Sequence, residues 1–295
     1  MNKAPPQNPS TPLEENDARL DSAAFHRNCE PIWDVLSPWL HDKSGNVLEV
    51  GSGSGQYVVE FARRSPHLLW WPSDLHPRNI ESIDAWRQHA QAQNIEVARR
   101  IDLSAQNWGL SEADSATLSD LTAIFCANVL HISPWQTTEG LMRGAAGRLH
   151  PGGRLFIYGP FKQDGQHTAP SNEAFDASLR ARDPQWGIRD INDIRDEAHK
   201  YHLVLADIAA MPANNMILIF ECAQDDTVSR KSDWADDRRY SNLVPQKQTV
   251  SPADERYTDL TRIFRPPPRR YRCQTHSSRP ASHIGLSCLV GGTDT

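Results

Sequence analysis

Three glycines and three acids between residues 49 and 102 are spaced to hold one polar ligand. Gly51, Gly53 and Gly55 form a G-x-G-x-G run directly after the apolar stretch 47–50. Glycine at such a turn lets the main chain take unusual backbone angles and approach a ligand closely. Glu49, two residues ahead of the run, brings a carboxylate that repels phosphate and suits a cationic amine. Asp74 can accept hydrogen bonds from both hydroxyls of a ribose. Asp102 can receive an adenine amino group while Leu103 supplies apolar and backbone contacts, although a helix cap or a solvated loop is the competing role for Asp102. The ligand these types describe is a nucleoside with a methionyl arm. The G-x-G-x-x-G spacing of dinucleotide sites and the GK[ST] ending of phosphate loops are both missing, which weighs against an NAD-dependent oxidoreductase.

Further along, Asn128 is placed to hold the same ligand or a substrate oxygen. His131 has the residue type of a general base near neutrality, while Ser133-Pro134-Trp135 after it suits a ring that merely braces the next helix. Asn172, Asn214 and Asn215 offer uncharged donors and acceptors for a substrate, and Asn214-Asn215 equally suits a tight turn. Trp71 and Trp135 are the first aromatics to consider as pocket walls, ahead of Trp70, Trp108 and Trp186, against packing as the common role of tryptophan. The five cysteines are scattered without a CxxC pair, and no cluster of metal ligands is spaced along the chain, so no metal is expected.

The elements that must position these groups alternate between strand and helix. Residues 47–50 form a strand, 56–64 a helix, 68–71 a second strand stopped by Pro72, and Pro77 opens a helix running to about Gln93. Strands near 97–101 and 121–127, a helix near 136–149 and a strand at 154–159, reached through the turn Pro151-Gly152-Gly153, continue the pattern. A small helical insert, 172–179 and 191–200, precedes two last strands, 203–208 and 216–221, that form an antiparallel pair at one sheet edge. The fold class is therefore α/β, a doubly wound, mostly parallel seven-stranded sheet. An earlier helix over 32–40 is expected to end or bend at Pro38.

The segments Phe25-His26-Arg27-Asn28-Cys29-Glu30-Pro31-Ile32, Gly53-Ser54-Gly55-Gln56, Trp71-Pro72-Ser73-Asp74, residues 128–135, Tyr158-Gly159-Pro160 and Met211-Pro212-Ala213-Asn214-Asn215 together resemble the family of methyltransferase-like protein 26. Tyr57 and Pro170 depart from its pattern. The resemblance implies a class I methyltransferase fold and S-adenosylmethionine as cofactor, and leaves the methyl acceptor open. A non-enzymatic binding module on the same fold is the alternative.

Composition sets the remaining bounds. Residues 1–21, with four prolines among the first twenty, suit a mobile arm, 22–222 the methyltransferase domain, and 223–295 a disordered extension. The extension holds 12 Lys+Arg and 9 Asp+Glu, a balance of +3 within a net charge of −6, so residues 1–222 carry −9. An acidic body lacks the footprint of a nucleic-acid binder and favours a small-molecule substrate. With no run of eighteen apolar residues, a cytoplasmic protein without membrane contact is expected.

Overall fold

The computed structural model describes residues 17–223. The expected arm up to residue 16 and the extension from 224 lie outside the described residues. In chain order the main sheet is built from α1 (Ala23–Leu40), β1 (Gly45–Val50), α2 (Gln56–Arg64), β2 (Leu68–Asp74), α3 (Pro77–Ala90), β3 (Arg99–Arg100), α4 (Glu112–Thr117), β4 (Leu121–Ala127), α5 (Trp135–Ala146) and β5 (Leu149–Gly159). A small excursion follows: β6 (Phe161–Gln163), β7 (Gln166–His167), α6 (Pro170–Arg182) and β8 (Arg189–Asp190). The chain then returns through α7 (Ile191–His199), β9 (Leu203–Met211) and β10 (Asn215–Cys222).

The seven-stranded sheet has the order β3-β2-β1-β4-β5-β10-β9, parallel except at β10, which runs antiparallel to both neighbours. This is the doubly wound α/β sheet that the alternation predicts. Strand order reverses between β1 and β4, and open sheets bind ligands beyond the carboxyl ends of their strands at such a reversal. Alternation along β1 feeds two cores: Val47 packs with α1, α2 and α3 on one face, Leu48 and Val50 with α5 and α7 on the other. Adjacent Trp70 and Trp71 divide in the same way.

Several expectations are corrected. Pro72 does not stop β2. Trp70 bonds through its N–H to Asn94 and Asp74 through its carbonyl to Ile101, so Pro72 turns its nitrogen to the same side. There it meets the gap between the bridge at Ile95 and the pairing at Arg99, where no ladder bond is lost. Pro31 and Pro38 both lie inside α1, which is held by the buried stripe Cys29, Ile32, Leu36 and Leu40. Helices α3 and α5 stop at Ala90 and Ala146, short of Gln93 and Leu149. The expected turn at Pro151 is a bulge within β5: Leu121 faces Leu149 and Ala123 faces Arg154. The third strand shrinks to Arg99–Arg100, and the insert holds a three-stranded sheet, β7-β6-β8, that the pattern does not show. Among the described residues no helix is long and apolar enough to cross a membrane.

Candidate functional site

The three glycines of the β1–α2 loop all have positive φ, 67°, 56° and 88°, but for different reasons. A Cβ on Gly51 would lie 2.5 Å from Val129, and one on Gly55 2.7 Å from the Ile83 backbone, so these two let the turn after β4 and α3 close in. A Cβ on Gly53 would meet nothing within 4 Å among the described residues. Packing therefore explains two of the glycines, and the third faces open space at the carboxyl end of the sheet.

The predicted acids lie at or just past the ends of the adjacent strands β1, β2 and β3. Glu49 on β1 is 1% exposed, and its Oε2 has no hydrogen-bond partner among the described residues. Burial pushes its carboxyl up to about 8; the nearby Ser52 hydroxyl and Val58 N–H oppose the shift, and the Asp74 charge adds to it. Asp74, at the end of β2, accepts from the Gly53 N–H at Oδ2 and the His76 N–H at Oδ1, each at 2.9 Å. It thus braces the loop as well as bordering it. Asp102, just past β3, takes the Ser104 N–H and hydroxyl on Oδ1 at 2.9 and 2.6 Å. Leu103 is buried in the core beside it.

On β4, Asn128 turns into the left-handed region (φ 58°) and donates its N–H to the Tyr158 carbonyl, tying β4 to β5. His131 follows in a short 3-10 turn. Its Nδ1 sits 3.4 Å from where a Cβ on Gly159 would be, and Phe175 of α6 meets the ring edge-on at 5.6 Å. Burial, aided by the Arg189 charge, lowers the imidazole to about 4, so the ring is neutral at pH 7. A base of that strength is weak at pH 7.

Asn172 directs its amide nitrogen to Thr168 Oγ1 and the Asn214 carbonyl, both at 3.0 Å, clasping the insert to the β9–β10 turn. Ala213 and Asn214 both have φ 58°, and Asn215 Nδ2 donates to the Pro212 carbonyl, the geometry of a tight turn. The insert is itself fastened by Asp176, which takes Lys162, His167, Arg180 and the Ile188 N–H around one buried carboxylate. Trp71 is a packing residue: its indole donates to Asn46 and Arg99 covers its ring. Trp135 packs at the rim of the same core, under Arg189.

Residue reasoning missed a strap formed by the last residues of the expected arm. The Leu20 N–H donates to Ser82 Oγ, which donates to the Ser54 carbonyl, and the Leu20 carbonyl accepts from Trp86. Gln56 then joins strap to loop, accepting from the Ser22 N–H and Ser54 and donating to Asp21. The available signal was Ser22, which caps α1 by accepting from the Phe25 N–H. Leu75, next to Asp74, was also missed; it is 37% exposed and extends an apolar surface beside the acids.

A seven-stranded sheet of this order, with glycine turn and acids at its carboxyl edge, defines a methyltransferase fold. An O-methyltransferase family protein from Burkholderia thailandensis shares it with a TM-score of 0.57 and 18% identity, over 68% of this chain and 58% of that one. A structure of PigF with SAH gives a TM-score of 0.50 at 14% identity, over 60% and 50%. The chain belongs to the family described as Protein of unknown function (DUF938), whose model matches residues 19–222. It is also 30% identical over 131 residues to the ribosomal RNA small subunit methyltransferase C of Yersinia enterocolitica serotype O:8 / biotype 1B, covering 42% of this chain. The match spans 33% of that relative's length.

Proposed function

We propose that the chain is an S-adenosylmethionine-dependent methyltransferase with a small-molecule acceptor. One observation carries this: at the start of the glycine loop the Glu49 carboxyl is buried with its Oε2 unpartnered among the described residues, while Gly53 in the same loop has open surroundings. An amino group at Glu49 would give Oε2 its partner and favour the ionised form. Asp74 has lone pairs left beyond its two N–H bonds for the ribose hydroxyls. Asp102 keeps Oδ2 for the adenine amino group, with Leu103 and Leu75 as apolar neighbours. When bound, the cofactor supplies a methyl group already activated on a sulfonium, and the protein's task is to align an acceptor and exclude water.

Asn128 and the neutral His131 border the acceptor side, and His131 orients an acceptor hydrogen under Phe175. Asn172, Asn214 and Asn215 frame that side through the insert and the last turn. The −9 balance of residues 1–222 favours a small acceptor over nucleic acid. The family match over residues 19–222 supports a catalytic domain bounded at 22–222, and the motifs of α1 and the loop support kinship with methyltransferase-like protein 26.

Calorimetry with S-adenosylhomocysteine and transfer of labelled methyl from S-adenosylmethionine into a metabolite extract test this reading. Saturable binding and one labelled product are expected. An intact protein that ignores S-adenosylhomocysteine but binds NADH overturns the cofactor, and binding without any labelled product favours the non-enzymatic module. A sharper result is expected from Gly53→Ala. A Cβ at positive φ costs the fold about 1 kcal/mol, and it fills the space a ligand needs. The variant should melt within a few degrees of the parent yet lose S-adenosylhomocysteine binding by about a hundredfold, an expectation set by steric exclusion of the close backbone approach.

A further inference from the structure

The loop after β3 is strained and expensively held. Asn107, Trp108 and Gly109 take successive φ values of 51°, 58° and 69°, and a bulky residue such as tryptophan adopts that region only when its surroundings enforce it. Two glycines one turn apart on α5 make the enforcement possible. A Cβ on Gly144 would lie 2.1 Å from the Trp108 ring, and one on Gly140 1.7 Å from the Leu103 carbonyl. The indole slots into this groove and donates to the Gly140 carbonyl at 2.8 Å. Arg148 closes it from the other side. It is 7% exposed, lies 4.4 Å over the indole, and donates to Asn107 Oδ1 at 2.6 Å. It has no carboxylate partner among the described residues, and its Nε is unsatisfied. Burying a guanidinium without a counter-charge is costly, and packing alone would be served better by an apolar side chain.

What the strained loop delivers is a fixed Asp102. The Trp108 carbonyl accepts the Asp102 N–H at 3.1 Å, the Asp102 carbonyl accepts from Ala105 at 3.1 Å, and Ser104 pins Oδ1. Only Oδ2 carries no bond among the described residues. We infer that Arg148 and Trp108 are positioning residues that make the nucleoside subsite selective for adenine, by holding Asp102 with one acceptor oxygen toward the exocyclic amino group. This rests on the methyltransferase reading above. A base with a carbonyl at that position sets oxygen against oxygen, so the rigidity of Asp102, more than its charge, excludes it. A mobile carboxylate would turn away and tolerate either base.

The test compares S-adenosylhomocysteine with S-inosylhomocysteine, which carries a carbonyl in place of the amino group, by calorimetry on the full chain. The parent protein is expected to prefer the adenosyl compound by about tenfold or more, the worth of a hydrogen bond to a charged acceptor. In Arg148→Met the two affinities should converge to within about threefold, chiefly through weaker adenosyl binding. Asp102→Ala should lose the preference as well, and adding Arg148→Met to it should change the ratio no further, as expected for residues acting through one group. Should Arg148→Met fail to fold, the exposed Asn107→Ala, which removes the same 2.6 Å bond, decides by the same ratio. A variant that melts earlier or binds both compounds more weakly, yet keeps the parental ratio, overturns the inference and leaves Arg148 a packing residue. A parent that binds both compounds equally overturns the inference together with the adenine role of Asp102, and leaves the methyltransferase reading standing. A parent that binds neither overturns the methyltransferase reading itself.

Discussion

Glu49→Gln is expected to make the unliganded protein more stable and its cofactor binding worse. Folded Glu49 keeps its proton up to about pH 8, because burial penalises the charge, whereas an unfolded glutamate releases it near 4.5. Between these values the folded state binds more protons than the unfolded one, so stability falls as pH rises. The penalty is absent below about 4.5 and complete above about 8. Glutamine has nearly the same shape and no such slope. The variant should match the parent near pH 4.5 and exceed it by about 4 kcal/mol at pH 8, on the order of 10 °C in melting temperature.

Binding moves the other way. An ammonium group beside Glu49 pulls the carboxyl into its ionised form, so calorimetry at pH 7 in buffers of different ionisation enthalpy should show close to one proton released by the parent. Glu49→Gln should show no release and bind S-adenosylhomocysteine about 10- to 100-fold more weakly, the range for losing one charge-assisted hydrogen bond. A variant that is less stable at pH 8, or that binds as tightly as the parent, counts against placing the amino group there. Stability and function oppose each other at this one buried carboxyl.

The glycine turn and its acids were legible in the sequence because their signals are local: a strand end, small residues and a carboxylate lie within a few positions. The mostly parallel character of the sheet followed from alternation. What the sequence hid depended on direction and distance. Pro72 reads as a strand terminator until the side on which its nitrogen faces is known. The strands of the insert are two or three residues long, too short for a period of two to register. The strap was concealed by composition: residues 17–21 continue a polar, proline-rich stretch, and only the reach of Gln56 and Ser82 across the fold gives them partners. The groove on α5 was invisible for a related reason, since glycine lowers confidence in a helix and only the Trp108 ring shows why two are needed. The Asn214 turn was foreseen from residue type, but its clasp to Asn172, forty-two positions away in sequence, was not.

Asp74→Ala is expected to have the largest effect on binding, because the side chain acts on both sides of the site. Its two oxygens hold the Gly53 and His76 N–H groups. Alanine leaves both donors without their acceptor at a 5% exposed position, which costs about 2 kcal/mol for unsatisfied polar groups. It also frees Gly53 to leave the backbone angle that opens the ligand space, and removes the acceptor for the ribose hydroxyls. S-adenosylhomocysteine affinity should therefore fall by more than about a hundredfold, the joint loss of two hydrogen bonds to a charge and of loop geometry. Asp74→Asn separates the two roles. Its single carbonyl oxygen can replace one acceptor, but its NH2 must then face the other N–H, donor against donor. Asparagine should consequently rescue little of the melting temperature and little of the affinity, despite its matching shape. Recovery of stability by asparagine with affinity still lost would assign Asp74 to the ligand alone. Recovery of both would show that neither N–H needs a charged acceptor, and the brace on Gly53 would then have to be sought in the Ser52–Ser73 bonds that stitch the same loop to β2.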